Sequence, residues 1–231
     1  MYKRQGIGEY FKHGIRGAAD RIGHDARALA VEVKNLDVPA HDPRAVYGLA
    51  VNYATTPRGA CHERGNPQAS ALGLFYPDCG MDAPPERFDE DSAGYCAYIY
   101  QTTSMLYNNI TMCKFMVNNG GLTISEINRE YELVTGRKLT NDELLEASRR
   151  GITLQRLINV RDGMNRKDDT LPPKLLQPAV VGGRAGKAPY AFDKMLDDYY
   201  KLRGWDQNGI PTEETLKNLG LEEFIPLLPN K

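Results

Sequence analysis

Thr140-Asn141-Asp142-Glu143-Leu144-Leu145-Glu146-Ala147-Ser148-Arg149-Arg150-Gly151-Ile152-Thr153-Leu154-Gln155-Arg156-Leu157-Ile158 is the stretch on which the fold class turns. Thr140 and Glu143 have the spacing of a capping box, in which each side chain accepts from the other's backbone N–H. Behind them Leu144, Leu145, Ala147, Ile152, Leu154, Leu157 and Ile158 recur on one helical face. The run predicts a helix from Thr140 to about Met164, with Gly151 its one blemish. Just upstream, Thr123-Ile124-Ser125-Glu126 repeats the start signal and Gly136 supplies the stop.

The same signals extend outward in both directions. Toward the C-terminus, Pro172, Pro173 and Pro178 with Gly182, Gly183 and Gly186 read as a loop over residues 171–190. A helix carrying Phe192, Met195, Leu196 and Tyr199 then ends near Gly204. Asp206 to Pro211 is a turn, and Thr212 caps a short last helix through Leu219. Toward the N-terminus, an aromatic-rich helix is expected over roughly Ser92 to Asn108. Residues 65–87, rich in Pro, Gly, Asp and Ala, read as a long irregular excursion. Asp42-Pro43 is a helix start with Asp as cap and Pro in the first turn, leading to Val46, Leu49, Ala50 and Tyr53. A further helix is expected from Ile7 to Ile22, closed by Gly23. Starting so near Met1, it suggests a chain that begins mid-architecture. No alternating strand pattern and no internal repeat is evident. The expected class is all-α, an irregular multi-helix packing with long loops.

The bulk numbers exclude several functions. The 231 residues carry 29 basic and 30 acidic side chains, a formal charge of −1, which gives a nucleic acid nothing to hold. Apolar content of 41% and charged content of 26% are ordinary for a soluble domain. No run approaches the ~18 apolar residues of a membrane span. Lys3 and Arg4 have no apolar region behind them, so the start does not read as a signal peptide. Four cysteines in a chain of this length do not form a disulfide scaffold, and reduced thiols in a cytoplasmic setting are expected. No nucleotide, zinc-protease or hydrolase motif is present.

Three segments carry candidate chemistry. In Arg58-Gly59-Ala60-Cys61-His62 a glycine beside charged and titratable groups lets backbone approach a ligand, with His62 able to exchange a proton near neutrality. The same residues can equally be a helix-to-loop junction. Cys113, after Asn108, Thr111 and Met112, is either a small buried hydrophobe or a ligand. Asn108 either binds a polar cofactor or ends a helix. A [4Fe–4S] cluster needs four thiolates, and Cys61, Cys79 and Cys96 form no C-x2-C pair with each other. The block Arg161 to Asp169 is a solvated helix end or else brackets a buried contact at Arg161-Asp162. His13, His24 and His41 read as structural.

Read in order, five blocks carry a resemblance. They are Gly6-Ile7-Gly8-Glu9; His41-Asp42-Pro43-Arg44 with Gly48-Leu49 and Tyr53-Ala54-Thr55 leading to Arg58–His62; Cys113-Lys114-Phe115; Leu157-Ile158-Asn159-Val160-Arg161-Asp162-Gly163-Met164-Asn165-Arg166-Lys167-Asp168-Asp169-Thr170-Leu171-Pro172; and Met195-Leu196-Asp197-Asp198-Tyr199-Tyr200-Lys201-Leu202-Arg203-Gly204-Trp205-Asp206. Together they resemble the C-terminal, helical portion of tungsten-containing aldehyde ferredoxin oxidoreductases, over nearly the whole chain. The resemblance implies that residues 1–40 end a middle helical domain and 41–231 form the C-terminal one. It implies a tungsten bis-pterin and a [4Fe–4S] cluster in the complete enzyme, none bound by this chain alone, and an N-terminal part or subunit that supplies the other three cluster cysteines.

By that resemblance Cys113 is the fourth cluster ligand and His62 the active-site histidine, which would hydrogen-bond an aldehyde oxygen and shuttle a proton. Arg58, Asn108, Thr111 and Met112 would contact the cofactor, and ferredoxin would take the electrons. The family pattern D-x-x-G-L-C falls on Asn108, Thr111, Met112 and Cys113, with three departures. Asn lacks the carboxylate charge, and Thr takes positive φ less readily than Gly, which puts the turn in question. A related aromatic acyl-CoA reductase, or a non-catalytic helical interaction domain, are the alternatives. The first helix, the Arg58–His62 segment and the Cys113 turn are expected to expose apolar surface in the isolated chain, favouring a homodimer or low solubility.

Overall fold

The computed structural model describes residues 5–118 and 121–229. Lys3 and Arg4, used above in the signal-peptide argument, lie outside the described residues. After a 3-10 turn at Gly6–Phe11 come α1 (Gly14–Ile22) and the single-turn α2 (Ala26–Leu29). A short antiparallel hairpin follows, β1 (Glu32–Val33) against β2 (Leu36–Asp37). Then come α3 (Tyr47–Thr55), α4 (Ala93–Asn109), the short α5 (Phe115–Asn118), α6 (Ile124–Thr135), α7 (Asn141–Arg161), α8 (Phe192–Arg203) and α9 (Glu213–Asn218). The chain is helical, as expected.

At the centre α4 packs against α3, α7 and α8. Every residue of α3 is buried, so it has no polar face and no amphipathic stripe to read. Close approach of α4 and α8 depends on Gly94, where a Cβ would stand 2.9 Å from both Met195 O and Tyr199 N. One core joins α3, α4 and α8 through residues such as Tyr53, Ala97, Met195 and Tyr199. A second, built on Tyr76, Tyr100, Leu106, Ile124 and Leu144, joins α4 to α6 and α7.

Both capping boxes form in full, Thr123 with Glu126 and Thr140 with Glu143. Gly136 and Gly204 close their helices in left-handed conformation, and Thr212 accepts from Thr215 N at the start of α9. Three boundaries differ from expectation. The first helix is broken at Gly14, with φ of 75°, into a 3-10 turn and α1. Ile7, Phe11 and Ile22 are consequently exposed, and only Ala18 and Ala19 of α1 are buried. Asp42 does cap, but it caps a 3-10 turn at Pro43–Ala45, and α3 starts only after extended Val46. Finally α7 stops at Arg161, because Gly163 at φ of 92° turns the chain out of it.

The hairpin is the element the sequence did not announce. Its turn, Lys34-Asn35, has φ of 51° and 62° without a glycine. It places Lys34 Nζ in the interior, 2.7 Å from Asp169 Oδ1, 2.6 Å from Ala54 O and 3.2 Å from Thr56 O. Arg156 Nη2 lies 2.8 Å from Asp169 Oδ2, and the Tyr200 hydroxyl donates to the same oxygen at 2.5 Å. The Asp169 side chain is fully buried. The buried contact of the 161–169 block is therefore at its far end; Arg161 and Asp162 pair with each other in solvent.

Burial alone would raise the Asp169 carboxyl, but Lys34 and Arg156 outweigh it and hold it below the ordinary carboxylate value. Its stabilising contribution is thus complete above the unfolded carboxylate range and is lost as pH falls through the lower folded value. Asp169→Ala leaves two buried cations facing each other and is expected to cost about 3–5 kcal/mol. Lys34→Met leaves one cation with one anion and should cost less, about 1–3 kcal/mol for its unmet carbonyls. Urea unfolding of the two variants checks the order, and equal losses would contradict this account.

Candidate functional site

The Arg58–His62 segment leaves the end of α3 and is held by buried amides. Asn52 Nδ2 donates to Cys61 O at 3.1 Å, and Gln101 Nε2 donates to Asn52 Oδ1 at 3.2 Å. From α7, Asn159 Nδ2 donates to Pro57 O at 2.8 Å. Gly59 has φ of 101°, and a Cβ there would meet Val33 O at 2.2 Å. The glycine therefore admits the backbone of the hairpin, which corrects the expectation that it makes room for a ligand. Ala60 and Cys61 are buried, while Arg58 is exposed and sets Nη2 3.0 Å from Cys61 Sγ.

His62 is partly exposed and stands in a charged cluster. Its Nε2 is 3.0 Å from Glu63 Oε1, and Lys114 Nζ donates to that same oxygen at 2.6 Å. The His41 ring meets the His62 ring edge-on, centroids 4.8 Å apart. Burial, followed by the charge of Lys114, pushes His62 below the ordinary histidine value. Burial works against ionisation of Glu63, yet Lys114 outweighs it and holds that carboxyl low. His62 is thus biased toward the neutral ring, which can accept a proton.

The Glu63–Lys114 contact joins this segment to the loop carrying Cys113. That loop leaves α4 through a Schellman closure: Thr111 N donates to Asn108 O at 3.3 Å and Met112 N to Tyr107 O at 2.9 Å. The residue at the left-handed position is Thr111, with φ of 57°. The backbone that glycine would adopt is therefore kept despite the threonine, and the expectation of doubt about the turn is resolved in its favour. Asn108 ends the helix and spends its Nδ2 on Ser104 O at 2.8 Å, and among the described residues nothing donates to its Oδ1. Met112 packs partly against the second core. Cys113 is exposed beside exposed Phe115 and Met116, whereas Cys61 and Cys96 are buried and Cys79 half-buried. Burial pushes Cys79 and Cys96 up to about 12, so neither readily forms the thiolate a metal requires.

Among the described residues no group of three or more His, Cys, Asp or Glu stands together to hold a metal ion. An open thiol on a capped loop fits one corner of a shared [4Fe–4S] cluster and does not fit a complete one. Glu63, Lys114 and His41 were given no role from the sequence. The signals available were adjacency, Glu63 to His62 and Lys114 to Cys113, and the place of His41 and Lys114 within the blocks quoted above.

The family model described as aldehyde ferredoxin oxidoreductase, domains 2 and 3, matches residues 1–221. The chain belongs to the aldehyde ferredoxin oxidoreductase family. It is 32% identical over 223 residues to the tungsten-containing aldehyde ferredoxin oxidoreductase of Pyrococcus furiosus, covering 96% of this chain and 35% of that protein. The Pyrococcus abyssi enzyme of the same name is 33% identical over 224 residues, with the same coverage. The WOR-like subunit of the aliphatic sulfonate oxidoreductase of Pyrococcus furiosus is 29% identical over 237 residues, covering 96% of this chain and 34% of that one. This family chain therefore spans about a third of the length of these relatives. The fold is shared with the active-site complex BamBC of benzoyl coenzyme A reductase, at a TM-score of 0.74 and 22% identity, over 97% of this chain and 38% of that one. No described helix is long and apolar enough to cross a membrane.

In this family chain a non-glycine residue at a left-handed position costs ~1–2 kcal/mol. Glycine gives back about 0.4–1 kcal/mol of that through its freer unfolded chain. Thr111→Gly should therefore stabilise the protein by up to about 1 kcal/mol, or roughly 2–4 °C in Tm. Calorimetry checks this, and a lower Tm would mean that the threonine side chain contributes more than its backbone strain.

Proposed function

We propose that this chain is the helical C-terminal part of a tungsten-pterin, iron–sulfur oxidoreductase that converts aldehydes to carboxylic acids with ferredoxin as electron acceptor. The observation that carries the reading is the pairing of an exposed Cys113 thiol with His62, through loops joined by Glu63 and Lys114. When bound, the tungsten bis-pterin and the [4Fe–4S] cluster supply two-electron oxidation and one-electron exit. Oxidation of the aldehyde, with the added oxygen taken from water, yields the acid, two protons and two electrons that pass to ferredoxin.

The residues of this chain then have distinct tasks. Cys113 gives one thiolate to the cluster, and its three companions come from the part of the protein not present here. Asn108, Thr111, Met112 and Arg58 would hold the pterin cofactor, Asn108 through the amide oxygen that its bond to Ser104 does not use. His62 hydrogen-bonds the aldehyde oxygen, and its bias toward the neutral ring suits it to take a proton released in the reaction. Exposed Ile7, Phe11, Ile22, Phe115 and Met116 are the surfaces that the rest of the protein, or a second copy, would cover. Alone, the chain is expected to be inactive. A cytoplasmic location accompanies this reading.

A second reading, reduction of an aromatic acyl-CoA ring, draws on the shared fold of the benzoyl coenzyme A reductase complex. That likeness speaks to scaffold and leaves the aldehyde reading preferred.

Co-expression of the chain with an N-terminal part bearing C-x2-C-x3-C tests the proposal. The assembled protein should be brown and should reduce a viologen dye with aldehyde. Cys113→Ser should lower iron content, while His62→Ala should keep iron and lose ~10²–10⁴-fold in kcat/KM. Unchanged iron in the cysteine variant, or full turnover in the histidine variant, removes the corresponding role.

A further inference from the structure

His62 is approached from three directions by groups that can move its proton. Lys114, His41 and Arg58 disfavour the protonated ring, and Glu63 favours it. The two partners of the central ion pair differ in freedom. The Lys114 side chain is 14% exposed and its ammonium lies 5.8 Å from the Phe115 ring centroid, while Glu63 is 51% exposed. The lysine is thus the fixed post and the glutamate the arm that reaches His62, with Oε1 within 3.0 Å of Nε2 and 2.6 Å of Nζ.

We propose that Glu63 is a positioning residue for His62: anchored by Lys114, it orients the imidazole, supplies the negative charge its protonated form needs, and ties that proton to the loop carrying Cys113. The catalytic meaning of this device rests on the function proposed above, but the device itself is a property of the chain alone. One glutamate oxygen shared by a lysine and a histidine makes the two loops respond together. Displacement of the Cys113 loop withdraws Lys114, frees Glu63 to rotate into solvent, and removes the counter-charge from His62. A proton on the histidine and the seating of the cysteine loop are therefore linked.

The sign of the linkage is fixed by charge. Glu63→Gln keeps the shape, removes the anion and leaves Lys114, so the His62 midpoint should fall. Lys114→Met removes a repelling cation and the anchor of Glu63 together, two opposed effects on the midpoint, so its change should be smaller than that of Glu63→Gln. Because Glu63 is half exposed the shift in Glu63→Gln is modest, at least about 0.5 unit at low salt and smaller at high salt. NMR titration of the His ring protons in the 231-residue chain reads this directly. His62→Gln assigns the signal, and His13 and His24 serve as internal controls. Glu63→Asp should restore part of the shift, which a merely structural contact would not do.

A His62 midpoint unmoved in Glu63→Gln, with the fold intact by circular dichroism, overturns the proposal. The same variant in the assembled enzyme should displace the pH profile of kcat/KM in the same direction. If titration shifts but no aldehyde is oxidised, the functional reading falls and the positioning role stands. If aldehyde is oxidised with an unmoved midpoint, the positioning role alone falls.

Discussion

The carboxylate of Asp169 is the point that the rest of the structure depends on. It is fully buried and takes Lys34 from the hairpin, Arg156 from α7 and the Tyr200 hydroxyl from α8. Arg156 also donates Nε to Gly209 O at 2.7 Å, fixing the turn that follows α8. Two cations against one anion would be unbalanced in a low-dielectric interior. The surplus is met at the end of α3, where the carbonyls of Ala54 and Thr56 face Lys34 and the helix end carries partial negative charge. The same end of α3 begins the Arg58–His62 segment, so this ionic knot also sets where the candidate site starts.

A second polar chain crosses the core a few side chains away. Arg203 on α8 reaches Tyr199 and Gln101, Gln101 reaches Asn52 and Thr55, and Asn52 reaches Cys61 O. Each link is buried, so each unpaired member would carry its full desolvation penalty. This makes the backbone just before His62 a rigid platform. Flexibility is left to Glu63 and to the surface side chains beyond it.

How much of this was readable from residues alone depends on the range of each interaction. Helix starts and stops at Thr123, Gly136, Thr140, Gly204 and Thr212 were legible because a cap acts within four residues. The hairpin was not, since two-residue strands cannot alternate and Lys34-Asn35 lacks the usual glycine. Asp169 looked like one more solvated charge, because its partners are 135 and 13 residues away. At the site, Cys113 proved to be exposed, which removes the buried-hydrophobe alternative that its sequence context left open. Thr111 argued against the very turn it adopts, since residue type speaks only to preference. Glu63 and Lys114 are 51 residues apart, and no local pattern relates them.

The Lys34–Asp169 bond also has a kinetic side. Its partners are 135 positions apart in the chain, whereas α6 and α7 are neighbours in sequence that pack on one another. Short-range contacts close first, because long loops lose more entropy on closure. On a ribosome the lysine emerges 135 residues before its acid, and must wait in water until that acid follows. By loop-closure entropy this bond closes after the local helix contacts.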